Sequence, residues 1–202
     1  MTEEDAIGWC RARFGTPVTE KLDAFRALVL EENDRQNLIS PASKEVIWSR
    51  HIVDSAQLID HSPSDAATWF DIGSGPGFPG MVIAIATALS VTLVEPRGRR
   101  TDFLHSVAQM IGVPNVVVSK AKAGAVTGAA DVISARAVAS IPNLVAMTTH
   151  LRHDRTRMIL PRGQNGGSEI ATLPAKWRNM FHVEQSITDA GSVIVIADGV
   201  RT

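Results

Sequence analysis

The chain reads as an α/β protein with a mainly parallel sheet covered by helices on both faces. From Thr68 onward, short β-forming runs alternate with helical segments, the pattern of a parallel sheet with crossover helices. Trp69-Phe70-Asp71-Ile72 leads into Gly73-Ser74-Gly75-Pro76-Gly77-Phe78-Pro79-Gly80 and then an apolar stretch from Met81, which spells strand, tight turn and helix. Near the end, Phe181-His182-Val183 and Ser192 to Ala197, joined through Asp189-Ala190-Gly191, read as an antiparallel pair.

Residues 1–66 predict an N-terminal helical extension packed on the sheet, and residues 67–202 the sheet domain itself. Thr2-Glu3-Glu4-Asp5 has capping-box spacing, followed by apolar Ile7, Cys10 and Phe14 and a stop at Gly15. Pro17 opens a second helix with the stripe Val18, Leu22, Phe25, Leu28 and Val29. A turn at Asn37-Leu38-Ile39-Ser40-Pro41 precedes a third segment carrying Arg50-His51-Ile52-Val53-Asp54-Ser55. Val91-Thr92-Leu93-Val94-Glu95 is a buried strand closing on a carboxylate, and Phe103, Leu104, Val107 and Ile111 mark the next helix. Val116–Val118, Asp131–Ile133 and Arg157–Leu160 supply three more strands, with a helix beginning near Pro142 between the last two.

Composition narrows the class. At 202 residues, 45% hydrophobic and 20% charged, the chain suits one soluble globular unit of moderate size. Its one cysteine, Cys10, excludes an internal disulfide and a thiolate metal cluster, fits a reducing cytoplasm, and reads as a small core residue. The acidic start Met1–Asp5 lacks the features of a signal peptide, and the run Met81–Leu89 is too short to span a bilayer. The net charge of -1 divides unevenly: residues 1–66 carry 12 acidic and 7 basic side chains, residues 67–202 carry 9 and 13. The basic excess lies on the part with the glycine turn, where it suits either phosphates or a plain solvated surface.

Spacing narrows what the turn binds. A dinucleotide fingerprint needs Gly-x-Gly-x-x-Gly, and counting from Gly73 its last position falls on Phe78, which excludes it. The chain reads instead Asp71-x-Gly73-x-Gly75-x-Gly77, which resembles the first motif of S-adenosylmethionine-dependent methyltransferases. The resemblance implies a Rossmann-like class I sheet with a closing antiparallel hairpin. That cofactor has no pyrophosphate to seat on a helix N-terminus, and its sulfonium and ammonium groups favour a nearby carboxylate, here Asp71. Glu95 falls 20 residues after Gly75, where an acidic group can accept both hydroxyls of an adenosine ribose.

The whole stretch Asp71 to Gly80, with its Phe78-Pro79-Gly80 tail, resembles the bacterial 16S ribosomal RNA guanine-N7 methyltransferase G family, also called glucose-inhibited division protein B. Asn37-Leu38, Arg50-His51 with Asp54-Ser55, Arg99-Arg100 to Phe103-Leu104, and Ser134-Ala135-Arg136-Ala137 agree in order and spacing, and Leu160 to Gly163 resembles the end of the family's fifth strand. The similarity spans roughly residues 35–200. It implies methylation of the guanine conventionally numbered 527, in the 530 loop of 16S RNA, within the small (30S) subunit. It also implies that Gly73 and Phe78 line the cofactor, that Ala121-Lys122 borders its adenine, and that Arg136 contacts the cofactor or the incoming base. The chain departs from the family at Lys122, where Glu is usual, at Lys120, where Arg is common, and at Pro161, ahead of the basic residue and Gly.

Guanine N7 carries an available lone pair at neutral pH, so methyl transfer needs no general base, only in-line positioning. The product base is cationic, so Arg136, the candidate catalytic residue, should meet guanine O6 or a phosphate rather than N7. Asp54 suits either the guanine N1 and N2 groups or a plain capping or surface position. His51 reads as a hydrogen-bonded structural histidine, and Phe78 as the aromatic that packs on cofactor or base. Arg97, Arg99, Arg100, Arg152, Arg155 and Arg157 are candidate phosphate contacts. His105, His150, His153 and His182 show no ligand spacing, so no metal is expected. A monomer is the default. Two other functions fit the same motifs: a methyltransferase for another RNA or a small molecule, and a binding module that has lost catalysis.

Overall fold

The computed structural model describes residues 1–200 and has a seven-stranded sheet in the order β3-β2-β1-β4-β5-β7-β6. Strands β1 (Thr68–Ile72), β2 (Ser90–Val94), β3 (Val116–Ser119), β4 (Ala130–Ser134) and β5 (Arg152–Arg162) run parallel. The closing hairpin is β6 (Phe181–Gln185) and β7 (Val193–Asp198), and β7 inserts antiparallel between β5 and β6. The strand order reverses between β1 and β4, the point at which open α/β sheets bind ligands outside the carboxyl ends of their strands.

The N-terminal region folds as its caps direct. Helix α1 (Glu3–Phe14) begins with a full capping box: Asp5 N–H donates to the Thr2 hydroxyl at 3.1 Å, and Thr2 N–H donates to the Asp5 carboxylate at 3.2 Å. Helix α2 (Thr16–Gln36) has Pro17 in its first turn and ends on Asn37 in the left-handed region at φ 50°. Between α2 and β1 the chain forms a short helix at Pro41–Lys44, a π-helical turn at Trp48–Val53 and a 3-10 turn at Gln57–His61. Helices α3 (Gly80–Ala86) and α4 (Gly98–Ile111) follow β1 and β2, and α5 (Ile141–Met147) follows β4.

One apolar cluster joins α1, α2 and the 47–58 segment to α3, α4 and one sheet face, with Leu22, Phe25, Val29, Ile52, Trp69, Met81 and Leu104 fully buried. A second cluster on the other face gathers Phe70, Ile72, Ile133, Leu144, Leu160 and Val195. Cys10 lies in the first cluster, where burial pushes its thiol up to about 12. Two features differ from the sequence expectation. Strand β5 begins at Arg152 rather than near Arg157, because a register irregularity at Ala130/Val132 lets the earlier residues pair. Short helices at Gly166–Ala171 and Ala175–Arg178 interrupt a stretch whose glycines and Pro174 show no apolar period. Among the described residues no helix is long and apolar enough to cross a membrane.

Two glycines give opposite expectations. A Cβ on Gly80 would lie 2.3 Å from Leu93 Cδ2 and 2.8 Å from Asp71 Oδ2, both in the core. Gly80→Ala is therefore expected to destabilise by about 1–3 kcal/mol through overpacking. Gly8 lies in α1 with nothing within 4 Å of a new Cβ, so Gly8→Ala should stabilise by about 0.5–1 kcal/mol. Urea unfolding of both variants checks the signs, and equal effects would contradict this packing.

Candidate active site

The site is assembled at the carboxyl ends of β1, β2 and β4 by a buried carboxylate. Asp71 has no exposure; its Oδ1 accepts from Ser134 Oγ at 2.7 Å and its Oδ2 from the Gly80 N–H at 3.1 Å. Trp69 Nε1 donates to the same Ser134 hydroxyl at 2.8 Å. Burial raises the Asp71 carboxyl above its ordinary value, and the Ser134 and Gly80 donors pull it back. The sequence reading turns Asp71 towards the cofactor; in the structure both of its oxygens meet protein donors. Asp71 shares pleat parity with the buried Trp69, so it points into the face covered by α3 and holds strand ends together instead.

Above it the glycine turn latches onto β2. The N–H groups of Gly73 and Ser74 both donate to the Val94 carbonyl, at 2.7 and 3.1 Å. Gly73 has φ 70°, and a Cβ there would meet Val138 Cγ2 at 2.5 Å, so this position requires glycine. Gly75 (φ 54°) and Gly77 (φ 108°) continue the left-handed path. The Glu95 carboxylate, 3% exposed, accepts from Gly75 N–H at 3.0 Å and Arg97 N–H at 2.9 Å. Glu95 thus shapes the turn as well as bordering it. Each of its oxygens retains a second lone pair for a hydroxyl, which narrows the expectation of a residue dedicated to ribose.

The Phe78 ring, expected against cofactor or base, meets side chains of the fold. It is only 3% exposed and packs between them: His51 stacks on it at 4.9 Å and 19°, Phe25 sits tilted at 5.1 Å, and the Arg136 guanidinium lies 5.3 Å from its centroid. It is a platform for Arg136 and His51. Arg136 follows β4 by two residues, next to Ala137, which takes the left-handed region at φ 56°. Its Nη2 donates to His51 Nδ1 at 2.7 Å, its Nη1 to the Arg50 carbonyl at 3.4 Å, and it pairs with Asp54 Oδ2 at 3.5 Å. Burial raises the Asp54 carboxyl against the pull of Arg136. Burial, with repulsion from Arg136 and Arg50, lowers His51 to about 3, so its ring is neutral at physiological pH.

Arg50, His51, Asp54 and Arg136 line a cleft of about 660 Å³, together with Arg162 and Thr188. The sequence reading did not single out Gln57 and Thr188, which hold Asp54 Oδ1 at 3.0 and 3.3 Å. The i, i+3 spacing of Asp54 and Gln57 was the available signal. Ala121 and Lys122 occupy the turn after β3, beside the end of β2, where Glu95 N–H donates to the Ser119 carbonyl at 3.1 Å. Ala121 is half-buried and Lys122 exposed.

The candidate phosphate contacts divide. Arg97, Arg99 and Arg100 stand on the glycine-turn side, with Arg100 Nη1 at 3.5 Å from the Cβ position of Gly75. Arg152, Arg155 and Arg157 do not belong to the site. They start β5, at the opposite end of a parallel strand, and are held by the Val145 and Val200 carbonyls, Asp65 and Asp198 respectively.

The rRNA small subunit methyltransferase G family model matches residues 18–193. The chain belongs to this family. It is 42% identical to the ribosomal RNA small subunit methyltransferase G of Sphingopyxis alaskensis, over 98% of this chain and 86% of that protein. The namesake in Rhizorhabdus wittichii is 38% identical over 100% of this chain and 94% of its own. Among solved structures, the ribosomal protein L11 methylase of Lactobacillus delbrueckii matches with TM-score 0.60 at 17% identity, covering 73% of this chain and 77% of its own. A Bacillus cereus O-methyltransferase in complex with SAH matches at TM-score 0.57 and 15% identity, covering 87% and 90%. These two share the fold, the class I methyltransferase sheet that the glycine turn and closing hairpin led us to expect.

The low His51 value has a stability consequence. In the folded protein the ring stays neutral, whereas in the unfolded chain it takes a proton below about 6.5. The contribution is therefore complete above that pH and lost as pH falls towards about 3. Between pH 7 and pH 5 the loss amounts to about 2 kcal/mol. His51→Gln, measured by urea unfolding at both pH values, should show that much less pH dependence than the parent chain. Asp54 and Asp71 shift in the other direction in both proteins and drop out of the comparison. Identical pH dependence would contradict a buried neutral ring.

Proposed function

We propose that the chain transfers a methyl group from S-adenosylmethionine to N7 of a guanine in 16S ribosomal RNA, the one conventionally numbered 527 in the 530 loop. The observation that carries this reading is the meeting, across Phe78, of the glycine turn with a buried Arg136–His51–Asp54 cluster on a cleft wall. Membership in the rRNA small subunit methyltransferase G family supports the acceptor.

The donor set suits the cofactor. Glu95 borders the turn for ribose hydroxyls, the Ala121–Lys122 turn offers backbone to a base edge, and Arg136 offers a cation to a carboxylate. When bound, S-adenosylmethionine supplies an electrophilic methyl group on a sulfonium, for which guanine N7 already holds the accepting lone pair. This chain's part is positional. Phe78 fixes His51 and Arg136 relative to the turn, and Asp54 offsets the Arg136 charge near the place where the base becomes cationic. In this reading residues 1–66 supply the acceptor wall and residues 67–202 bind the cofactor. The protein works as a cytoplasmic monomer on the small subunit, with Arg97, Arg99 and Arg100 meeting phosphates.

Purified protein with methyl-labelled S-adenosylmethionine and 30S subunits from cells lacking the modification should place label on one guanine N7 in the 530 loop. Protein-free 16S RNA in parallel identifies whether the assembled subunit is required. Retained cofactor binding with no label on either RNA would remove the ribosomal reading and leave a methyltransferase with another acceptor.

A further inference from the structure

His51 carries one polar atom that the fold does not use. Its side chain is 8% exposed, stacks on Phe78 and lines the cleft. Nδ1 lies 2.7 Å from Arg136 Nη2. A guanidinium only donates, so Nδ1 must accept and the proton of the neutral ring sits on Nε2. That Nε2 is buried without a hydrogen-bond partner among the described residues. Buried donors are normally satisfied, and one left over in a residue that lines a cleft points to a ligand acceptor that reaches it when the neighbouring cleft side chains give way.

The acceptor follows from the functional reading above, on which this inference rests. Guanine presents two acceptors on its major-groove edge, N7 and O6. N7 must stay open to receive the methyl group, so O6 is the atom beside it that a protein donor can hold. Arg136, to which the sequence reading gave O6 or a phosphate, spends one N–H of Nη2 on His51 and turns Nη1 to the Arg50 carbonyl and Asp54, and its remaining N–H groups are the ones the reading above gives to the cofactor's carboxylate. We propose that His51 is a base-reading residue whose Nε2–H donates to O6 of the acceptor guanine. Adenine would present its N6 amino group at that place, donor facing donor, and so be rejected. The bond with Arg136 serves the same end. It occupies Nδ1, so the ring cannot gain a second proton without losing that bond, and His51 reads the base without adding positive charge beside a base becoming cationic.

Two substitutions separate the ring's two nitrogens. His51→Asn leaves an acceptor near the place of Nδ1 and removes the Nε2 donor. His51→Gln can put an amide N–H near the place of Nε2 and gives up Nδ1. Full-length proteins are compared for kcat/KM on 30S subunits, for cofactor Kd by calorimetry, and for transfer to subunits whose target guanine is replaced by 2-aminopurine, which lacks O6. His51→Asn should lose about ten- to a hundredfold in kcat/KM on guanine, with cofactor Kd within about twofold of the parent, while His51→Gln loses less. On 2-aminopurine the parent chain and His51→Asn should be equally slow, because the bond is already gone. A purely structural role predicts additive losses instead, and additivity would overturn the proposal. So would a tenfold weaker cofactor Kd in His51→Asn, which would place the Nε2–H on the cofactor's carboxylate. Failure of the parent chain to methylate 30S subunits at all would remove the ribosomal reading and this inference together.

Discussion

A carboxylate with no exposure governs the shape of the site. Asp71 needs partners for both oxygens, since an unpaired buried carboxylate is far costlier than a paired one. It finds them at the end of β4 and at the first residue of α3, and these contacts set the separation of β1, β4 and α3. Gly80 is glycine because the carboxylate occupies the space of a Cβ. Ser134 bridges Trp69 and Asp71, so its direction is fixed, and Arg136 leaves the strand two residues later on a defined course. The glycine turn spans the gap that Asp71 holds open beneath it. A residue whose two oxygens are taken by protein donors thus determines where the groups on the cleft wall stand.

The charges above that frame are kept in balance. Arg136 is the cation that lies over the Phe78 ring, and it is offset by Asp54, braced by the Arg50 carbonyl and bound to a histidine that stays neutral. Asp54 is itself held by Gln57 and Thr188, the latter from the loop between β6 and β7. The closing hairpin therefore reaches the cleft wall. A free arginine would suit phosphate binding equally well, but it would oppose a reaction whose product is a cationic base. Compensation at Asp54 and a neutral ring at His51 leave orientation as the contribution of the cluster, which suits a transfer needing no base catalyst.

Much of the fold was legible because parallel strands and amphipathic helices announce themselves by period, and the glycine turn by the conformations it requires. The direction of individual side chains was less so. That Asp71 is buried was available from pleat parity with Trp69, yet motif spacing alone suggests a ligand-facing role. Arg152, Arg155 and Arg157 read as phosphate contacts by charge, although a basic residue opening a parallel strand lies at the end away from the ligands. The Arg136–His51 bond joins residues 85 apart in sequence and no local pattern encodes it. Nor does periodicity register the π-helical turn Trp48–Val53, which departs from the 3.6-residue repeat at the place where Arg50 and His51 must face the cleft.

That turn explains why the helical extension and the sheet share one apolar core. The Glu3 carboxylate of α1 accepts from the Trp48 and Ser49 N–H groups at 2.9 and 2.8 Å, anchoring the start of the turn to the first helix. Phe25 of α2 packs on Phe78, whose ring also carries His51. The sheet supplies the glycine turn and Glu95, the extension supplies Arg50, His51 and Asp54, and Phe78 lies where the two meet. Any shift of the extension against the sheet would move His51 relative to the turn before it disturbed a strand. On the proposed role of His51, specificity for the acceptor base depends on the packing of α1 and α2 as directly as on the residues that face the cleft.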